Sequence, residues 1–241
     1  MNKIDYSLYL VTDRDILGKR DLCKAVEDSI KGGATIVQLR EKFVSDEKFL
    51  EIAKEVQKVT KKYNIPLIIN DNVKIAKEID AEGVHIGQSD ESLEEARKFL
   101  GKNKIIGVSV GSVEEALKAE EGGADYLGIG TVFYTGSKKD INEPLGLKNL
   151  KIIVDSIKIP SVAIGGIHLN NVKEVMKTGV CGVAVISEIL GKEDIEKASK
   201  TLLSFIKWYR RQKWLLKKNS LEMLLKISEK NSLLFFILQI Q

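Results

Sequence analysis

The chain has 241 residues, 44% of them hydrophobic and 30% charged, which is typical of a soluble globular protein with a full core. Its formal net charge of +4 is uneven, because residues 207–241 contain eight Lys/Arg and two Asp/Glu and the remainder carries −2. Residues 1–206 therefore lack the basic excess of a nucleic-acid-binding domain. The first six residues lack a signal-peptide core, and no apolar run reaches about 18 residues, so we expect a cytoplasmic protein without a membrane span.

Up to residue 206, short apolar runs rich in Val and Ile alternate with longer amphipathic stretches, at about 25 residues per repeat. Parallel strands buried on both faces have this composition, and they need helical crossovers of one hand. Eight repeats predict a closed (β/α)8 TIM barrel over residues 1–206, followed by a C-terminal extension over residues 207–241. The predicted strands are Leu8–Val11, Ile36–Leu39, Leu67–Ile69, Val84–Ile86, Ile105–Val108, Tyr126–Ile129, Val162–Ile164 and Val183–Ile186.

Helical patterns between these strands cover Asp46–Tyr63, Glu91–Leu100, Val113–Glu121, Leu147–Ile157 and Leu169–Lys177. An open doubly wound sheet is the alternative fold. That fold normally carries a Gly-rich phosphate loop after its first strand, which Thr12-Asp13-Arg14-Asp15 does not resemble. Cys23 and Cys181 lie far apart in apolar contexts, which favours buried free thiols over a disulfide or a metal site.

In such a barrel the active site lies at the C-terminal ends of the strands. The second strand ends in Gln38-Leu39-Arg40-Glu41-Lys42, and alternation along a strand turns Gln38, Arg40 and, if the strand persists, Lys42 toward the lumen or its mouth. An arginine, a lysine and an amide that converge there predict a phosphate site. The alternative is a strand that ends at Leu39 and is followed by a solvated charged turn.

The third and fourth strands are followed by Asp71 and Asp90. Two carboxylates on adjacent strands suit Mg²⁺, which takes one or two carboxylates together with waters and phosphate oxygens. Each aspartate also precedes a predicted helix, so helix capping is the alternative role. His85 is expected to be a packed, hydrogen-bonded side chain, because Mg²⁺ prefers oxygen ligands.

The remaining strand ends carry hydroxyls and glycines. Ser109 ends the fifth strand, a long loop over residues 132–139 follows the sixth, and Gly165-Gly166 and Ser187 follow the last two. Paired glycines let backbone N–H groups approach a phosphate, and barrels often bind a phosphate in the loops after these strands. The sequence therefore predicts one cationic, metal-assisted site for a diphosphate and a second site for a monophosphate.

Five motifs in order resemble the thiamine-phosphate synthase family over residues 5–206. They are Gln38-Leu39-Arg40-Glu41-Lys42, Asn70-Asp71, His85-Ile86-Gly87-Gln88-Ser89-Asp90, Thr135-Gly136-Ser137-Lys138 and Gly165-Gly166-Ile167. The resemblance implies a transferase of thiamine biosynthesis. Its substrates would be hydroxymethylpyrimidine diphosphate and hydroxyethylthiazole phosphate, joined by a dissociative substitution into thiamine phosphate and diphosphate.

The resemblance also implies roles for individual residues and one Mg²⁺ per subunit in a homo-oligomer. Asp71 and Asp90 would bind the metal, and Arg40, Lys42, Ser109 and Lys138 would take part in catalysis. The pyrimidine diphosphate would contact Gln38, Arg40, Lys42, Asn70, Ser109 and Lys138. The thiazole phosphate would contact Thr135, Ser137, Gly166, Ile186 and Ser187.

Three positions depart from the family pattern. Tyr134 replaces a usual proline, Ser137 a usual threonine, and Gly111 a common histidine. The related thiazole tautomerases use a histidine in that last segment and lack the full metal set, so the sequence favours a synthase. A non-catalytic binding or regulatory protein is the alternative from another class, and intact metal and diphosphate residues argue against it.

Residues 207–241 lie outside the resemblance. They combine a basic segment, which contains Trp208 and Trp214, with an apolar end. A peripheral membrane or partner helix and an extended last helix with a poorly ordered end both fit this pattern. We expect no catalytic role for them.

Overall fold

The computed structural model describes residues 4–136, 143–212, 214, 215 and 218. Eight parallel strands form a closed barrel in the order in which they occur along the chain. They are β1 (Leu8–Val11), β2 (Ile36–Leu39), β3 (Leu67–Asn70), β4 (Gly83–Ile86), β5 (Ile105–Val110), β6 (Tyr126–Ile129), β7 (Ser161–Ile164) and β8 (Gly182–Val185). β1 pairs with both β2 and β8, which confirms the predicted barrel and excludes the open doubly wound sheet.

The helices surround the barrel and connect its strands. They are α1 (Arg14–Leu17), α2 (Leu22–Lys31), α3 (Asp46–Lys62), α4 (Val73–Glu78), α5 (Leu93–Leu100), α6 (Val113–Glu121), α7 (Gly146–Ser156), α8 (Val172–Lys177) and α9 (Ser187–Leu190). Residues 195–206 are also helical, as α10.

Two boundaries differ from the sequence predictions in ways that matter for the site. β8 ends at Val185, and Ile186 is instead the N-cap of the short helix α9. Helix α8 begins at Val172, three residues after the predicted start, because the Asn171 side chain accepts a hydrogen bond from His168 N and holds residues 169–171 in a turn. Apolar periodicity cannot detect such a local side-chain contact.

Short polar side chains begin most of the longer helices by accepting hydrogen bonds from free backbone N–H groups. Ser45 caps α3, Asn72 caps α4, and Ser112 caps α6. Ser92 caps α5 in a capping box, in which the Glu95 side chain also accepts from the Ser92 backbone. These caps fix where each loop at the C-terminal rim of the barrel ends and its helix begins.

The barrel lumen is filled mainly by large buried side chains from alternate strand positions. Tyr9 and Tyr126 are the largest of them, and both are at most 1% exposed. The cluster around them contains Tyr6 and aliphatic side chains, among them Val11, Ile36, Ile68, Val162 and Ala184. Gln38 and His85 are buried polar side chains near the C-terminal ends of β2 and β4. The lumen therefore carries polar groups toward that rim.

The chain divides into two compact units, Met1–Ile206 and Lys207–Gln241. In the described part of the second unit, residues 207–212 are helical and the Lys218 ammonium lies over the Trp214 ring. No helix among the described residues is both long and apolar enough to cross a membrane.

The Ser92 cap can be tested by removing one hydroxyl. We expect Ser92→Ala to lower the free energy of unfolding by about 1 kcal/mol, because the first turn of α5 loses an acceptor for Glu95 N. Urea denaturation followed by circular dichroism measures this change. An unchanged midpoint would show that solvent replaces the cap without cost.

Candidate active site

The polar residues predicted from the sequence lie at the C-terminal ends of the strands, on one rim of the barrel. Gln38, Asn70 and Ser109 belong to β2, β3 and β5, and the others lie in the segments that follow their strands. Ser137 and Lys138 lie outside the described residues, so their predicted roles stay predictions.

Arg40 is held at this rim by an ion pair. β2 ends at Leu39, and the Arg40 backbone N–H donates to the Thr12 hydroxyl. The Arg40 guanidinium lies 2.9 Å from Asp13, whose other carboxylate oxygen caps α1. The next residue, Glu41, pairs with Arg14 at 2.8 Å and its side chain is only 2% exposed. The strand end at Leu39 agrees with the alternative, and Lys42 is exposed, but the ion pairs of Arg40 and Glu41 make the segment an anchored turn and not a solvated one.

Asp71 and Asp90 lie beside each other and cap neither neighbouring helix. The caps are Asn72 for α4 and Ser92 for α5, so the capping role is wrong for both aspartates. Asp71 has a left-handed backbone with φ of 62°, and its N–H donates to the carbonyl of His85 on the neighbouring strand. Asp90 accepts a hydrogen bond from Gly87 N at 2.6 Å.

The environment of Asp71 disfavours its ionised form. Burial and, next, the adjacent Asp90 carboxyl raise the Asp71 pKa from 3.8 to about 6. Lys42 and the Asn70 side chain act in the opposite direction. A carboxyl whose ionisation is disfavoured beside a second carboxyl forms a site that a divalent cation would stabilise.

The donor set fits a cation that retains water ligands. Among the described residues, no three His, Cys, Asp or Glu side chains converge as a metal site. Asp71 and Asp90 supply the two carboxylates that Mg²⁺ commonly takes from protein, and phosphate oxygens and water complete such a shell. Lys42 beside Asp71 adds a positive charge suited to a phosphate in the same place.

A chain of buried hydrogen bonds crosses the lumen next to this site. We call it the lumen chain, and its members are Gln38, Tyr9, Tyr126, His85 and Ser109. Gln38 Nε2 donates to the Tyr9 hydroxyl at 2.9 Å, and the Tyr9 and Tyr126 hydroxyl oxygens are 2.7 Å apart. His85 bridges the Tyr126 hydroxyl, 2.9 Å from Nδ1, and the Ser109 hydroxyl, 2.8 Å from Nε2. Burial lowers the His85 pKa from 6.5 to about 4, so the ring is neutral near pH 7.

The loops after β6, β7 and β8 form the other half of the rim. Gly165 and Gly166 both have positive φ, and a Cβ on Gly166 would lie 2.5 Å from the Tyr134 carbonyl oxygen. The β7 loop therefore needs glycine to pack against the β6 loop. Ser187 begins α9, and the neighbouring Glu188 accepts hydrogen bonds from His168 Nδ1 and Leu169 N. Glu188 thereby ties the β8 loop to the β7 loop.

The sequence and the fold are similar to those of known proteins. The family model for thiamine monophosphate synthase matches residues 8–189. The thiamine-phosphate synthase of Clostridium novyi is 60% identical over 199 residues, which are 83% of this chain and 98% of that protein. The chain belongs to the thiamine monophosphate synthase family. It is a transferase of that family.

A solved structure agrees with this membership. Thiamine phosphate pyrophosphorylase from Pyrococcus furiosus superimposes with a TM-score of 0.78 at 41% identity, covering 86% of this chain and 98% of that chain. The family match ends at residue 189 and so excludes the C-terminal unit from Lys207 onward.

Sequence reasoning does not identify three residues that support the site of this family member. Asp13 is part of a loop in the sequence prediction, although in the structure it orients Arg40. Tyr9 and Tyr126 lie in predicted strands and look like core residues from their neighbours in the sequence. A tyrosine at an inward position of a strand, in a barrel whose other strands carry a glutamine or a histidine, is the signal that could reveal them.

The pKa of Asp71 predicts a pH-dependent stability in a chelating buffer. Because the folded pKa of about 6 lies above the reference value of 3.8, wild-type protein loses stability as the pH rises from about 4 to 6. We expect Asp71→Asn to be more stable than wild type by about 1–2 kcal/mol at pH 7.5, because asparagine removes the carboxylate whose ionisation is disfavoured in the folded state. Solvent screening keeps this gain below the value that the full pKa shift would give. Asparagine also tolerates the left-handed backbone.

Thermal melts of both proteins with EDTA, at pH 4 and pH 7.5, measure this difference. The gain should disappear at pH 4, where Asp71 is largely protonated when folded. An Asp71→Asn variant that is less stable than wild type at pH 7.5 would contradict the raised pKa.

Proposed function

We propose that the protein is a thiamine-phosphate synthase with the substrates and metal of that reaction. It would join hydroxymethylpyrimidine diphosphate to hydroxyethylthiazole phosphate and release thiamine phosphate and diphosphate. The observation that carries the proposal is the pair Asp71 and Asp90. Neither residue caps its neighbouring helix, and the Lys42 charge acts on Asp71. Membership of the family supplies the reaction class.

The diphosphate would bind where the charges converge. Mg²⁺ held by Asp71 and Asp90 would neutralise charge on the leaving diphosphate. Arg40 offers a planar donor group that its ion pair with Asp13 holds in place, and Lys42 offers a mobile ammonium. Asn70 lies next to Asp71 and would add an amide donor to the same anion. Lys138 is proposed to reach the diphosphate as well.

The pyrimidine ring would lie against Gln38 and Ser109, the two ends of the lumen chain. In the proposed dissociative substitution, the bond between the pyrimidine methylene carbon and the diphosphate oxygen breaks first. The electron-rich aminopyrimidine stabilises the resulting methylene cation, and the thiazole nitrogen then forms the new C–N bond. Such a step needs charge stabilisation and exclusion of water more than a protein nucleophile.

The thiazole phosphate would occupy the opposite half of the rim. Gly166 and Ser187 bring backbone groups and a hydroxyl to adjacent loops, with Ile186 between Ser187 and β8. Thr135 lies on the β6 loop that packs against Gly166. With Ser137 these groups would hold a monophosphate through neutral donors, whereas the diphosphate half supplies cationic groups and metal.

Product formation tests the proposal. We expect purified protein to make thiamine phosphate from the two phosphorylated substrates only when Mg²⁺ is present. Asp71→Ala should lower kcat/KM by at least about 100-fold, because the metal and its charge stabilisation are lost. Ser92→Ala is the matched control: it weakens the neighbouring helix cap and should retain turnover.

Metal binding can be measured without turnover, through the melting temperature. Mg²⁺ should raise the melting temperature of wild type and of Ser92→Ala, since binding to the folded state alone stabilises it, and should not raise that of Asp71→Ala. Turnover that is indifferent to Mg²⁺ would reject the metal site. A folded protein that binds both substrates but forms no product would reject the synthase in favour of a binding role.

A further inference from the structure

The lumen chain connects two residues proposed to bind substrate through three that have no assigned role. Gln38 and Ser109 stand at its ends, and Tyr9, Tyr126 and His85 lie between them. All three intermediate side chains are at most 8% exposed. Space for the Tyr126 ring depends on β5, because a Cβ on Gly107 would lie 2.1 Å from Tyr126 Cζ. The chain is thus a close-packed feature of the lumen.

Gln38 sets the direction of the lumen chain, because an amide nitrogen donates and does not accept. It donates to the Tyr9 oxygen, so the single Tyr9 hydrogen goes to the Tyr126 oxygen. Tyr126 then donates to His85 Nδ1. A ring that accepts at Nδ1 carries its hydrogen on Nε2, which donates to Ser109 Oγ. The Ser109 hydrogen is consequently left for an acceptor outside the chain.

With Gln38 Nε2 facing Tyr9, the opposite direction fails a count of hydrogens. If His85 donated to Tyr126 and Tyr126 to Tyr9, the Tyr9 oxygen would accept twice and its own hydrogen would have no acceptor. Tyr9 is 1% exposed, and the hydrogen bonds of its hydroxyl are those to Gln38 and Tyr126. A buried hydroxyl hydrogen without an acceptor is strongly disfavoured, so the first direction is selected.

The other end of the chain is also defined. Gln38 uses its nitrogen for Tyr9, which leaves the carbonyl oxygen Oε1 as its remaining acceptor. Among the described residues, no buried side-chain nitrogen or oxygen lacks a hydrogen-bond partner. Because Oε1 accepts no hydrogen bond from the described part of the protein, it must reach accessible space. The two ends therefore offer an acceptor at Gln38 and a donor at Ser109.

We propose that Tyr9, Tyr126 and His85 are positioning residues that hold the Gln38 amide in this orientation, so that the site selects an aminopyrimidine over an oxopyrimidine. The proposal rests on the proposed function. An amino group donates a hydrogen bond to Gln38 Oε1. An oxo group at the same carbon would place a second acceptor against that oxygen, and two acceptors cannot form a hydrogen bond. Without the chain, the Gln38 amide can rotate and offer its nitrogen instead.

Binding of two matched ligands tests this selection without turnover. The ligands are the hydroxymethylpyrimidine monophosphate and its analogue with oxo in place of amino, and calorimetry gives their Kd values. We expect wild type to prefer the amino compound by at least about 100-fold. Tyr9→Phe and Tyr126→Phe should each reduce this preference to about tenfold or less, because each removes a hydroxyl from the chain.

Tyr6→Phe is the matched control. The Tyr6 ring packs on Tyr126 at 5.0 Å between centroids, but its hydroxyl is not part of the lumen chain. This variant should keep the wild-type preference. A preference retained in both Tyr9→Phe and Tyr126→Phe, or lost equally in Tyr6→Phe, would overturn the proposal.

The His85 tautomer gives a second measurement on wild-type protein, which no folding defect can obscure. The chain has two histidines, so a long-range ¹H–¹⁵N spectrum can be assigned by comparison with His168→Gln. We expect His85 to carry its hydrogen on Nε2, and a hydrogen on Nδ1 would overturn the proposal. Failure to form thiamine phosphate would reject the proposed function alone, because the tautomer decides the polarity independently.

Discussion

Closure of eight parallel strands into one barrel is the constraint on which the rest of the structure depends. Since β1 pairs with both β2 and β8, no strand edge is exposed and every strand points the same way. All eight C-terminal ends must then meet on one rim, although the residues there are far apart in sequence. Asp13, Arg40 and Asp71 follow the neighbouring strands β1, β2 and β3, so the parallel pairing of these strands brings them to the same rim.

The lumen must be filled, and this barrel fills part of it with polar groups. Tyr9, Tyr126 and His85 occupy positions where an apolar side chain would need no partner. Each of their polar atoms forms a hydrogen bond within the lumen chain, so burial leaves none of them unsatisfied. Burial also raises the pKa of both tyrosines and lowers that of His85, which keeps all three neutral. An uncharged, fully bonded network is rigid without the penalty of a buried charge.

The sequence predicts the barrel because β-strands covered on both faces leave a strong signal. Apolar runs such as Ile36–Leu39 and Tyr126–Ile129 match their strands without error. Contacts between strands leave no such signal. The pairing of Arg40 with Asp13 joins loops 27 residues apart, and the Tyr9–Tyr126 hydrogen bond spans 117 residues. Periodicity within a window reports which face is buried, not which polar atom meets which across the lumen.

The same limit explains why the sequence leaves a capping role open for Asp71 and Asp90. Both aspartates stand just before helices, where sequence alone favours a cap. One residue decides each case: Asn72 and Ser92 take the cap positions, and the aspartates are left facing each other. Their proximity disfavours ionisation of Asp71, and no helix cap offsets this cost, since neither carboxylate caps its helix. The divalent cation proposed for this site would be attracted by both carboxylates and would offset that cost.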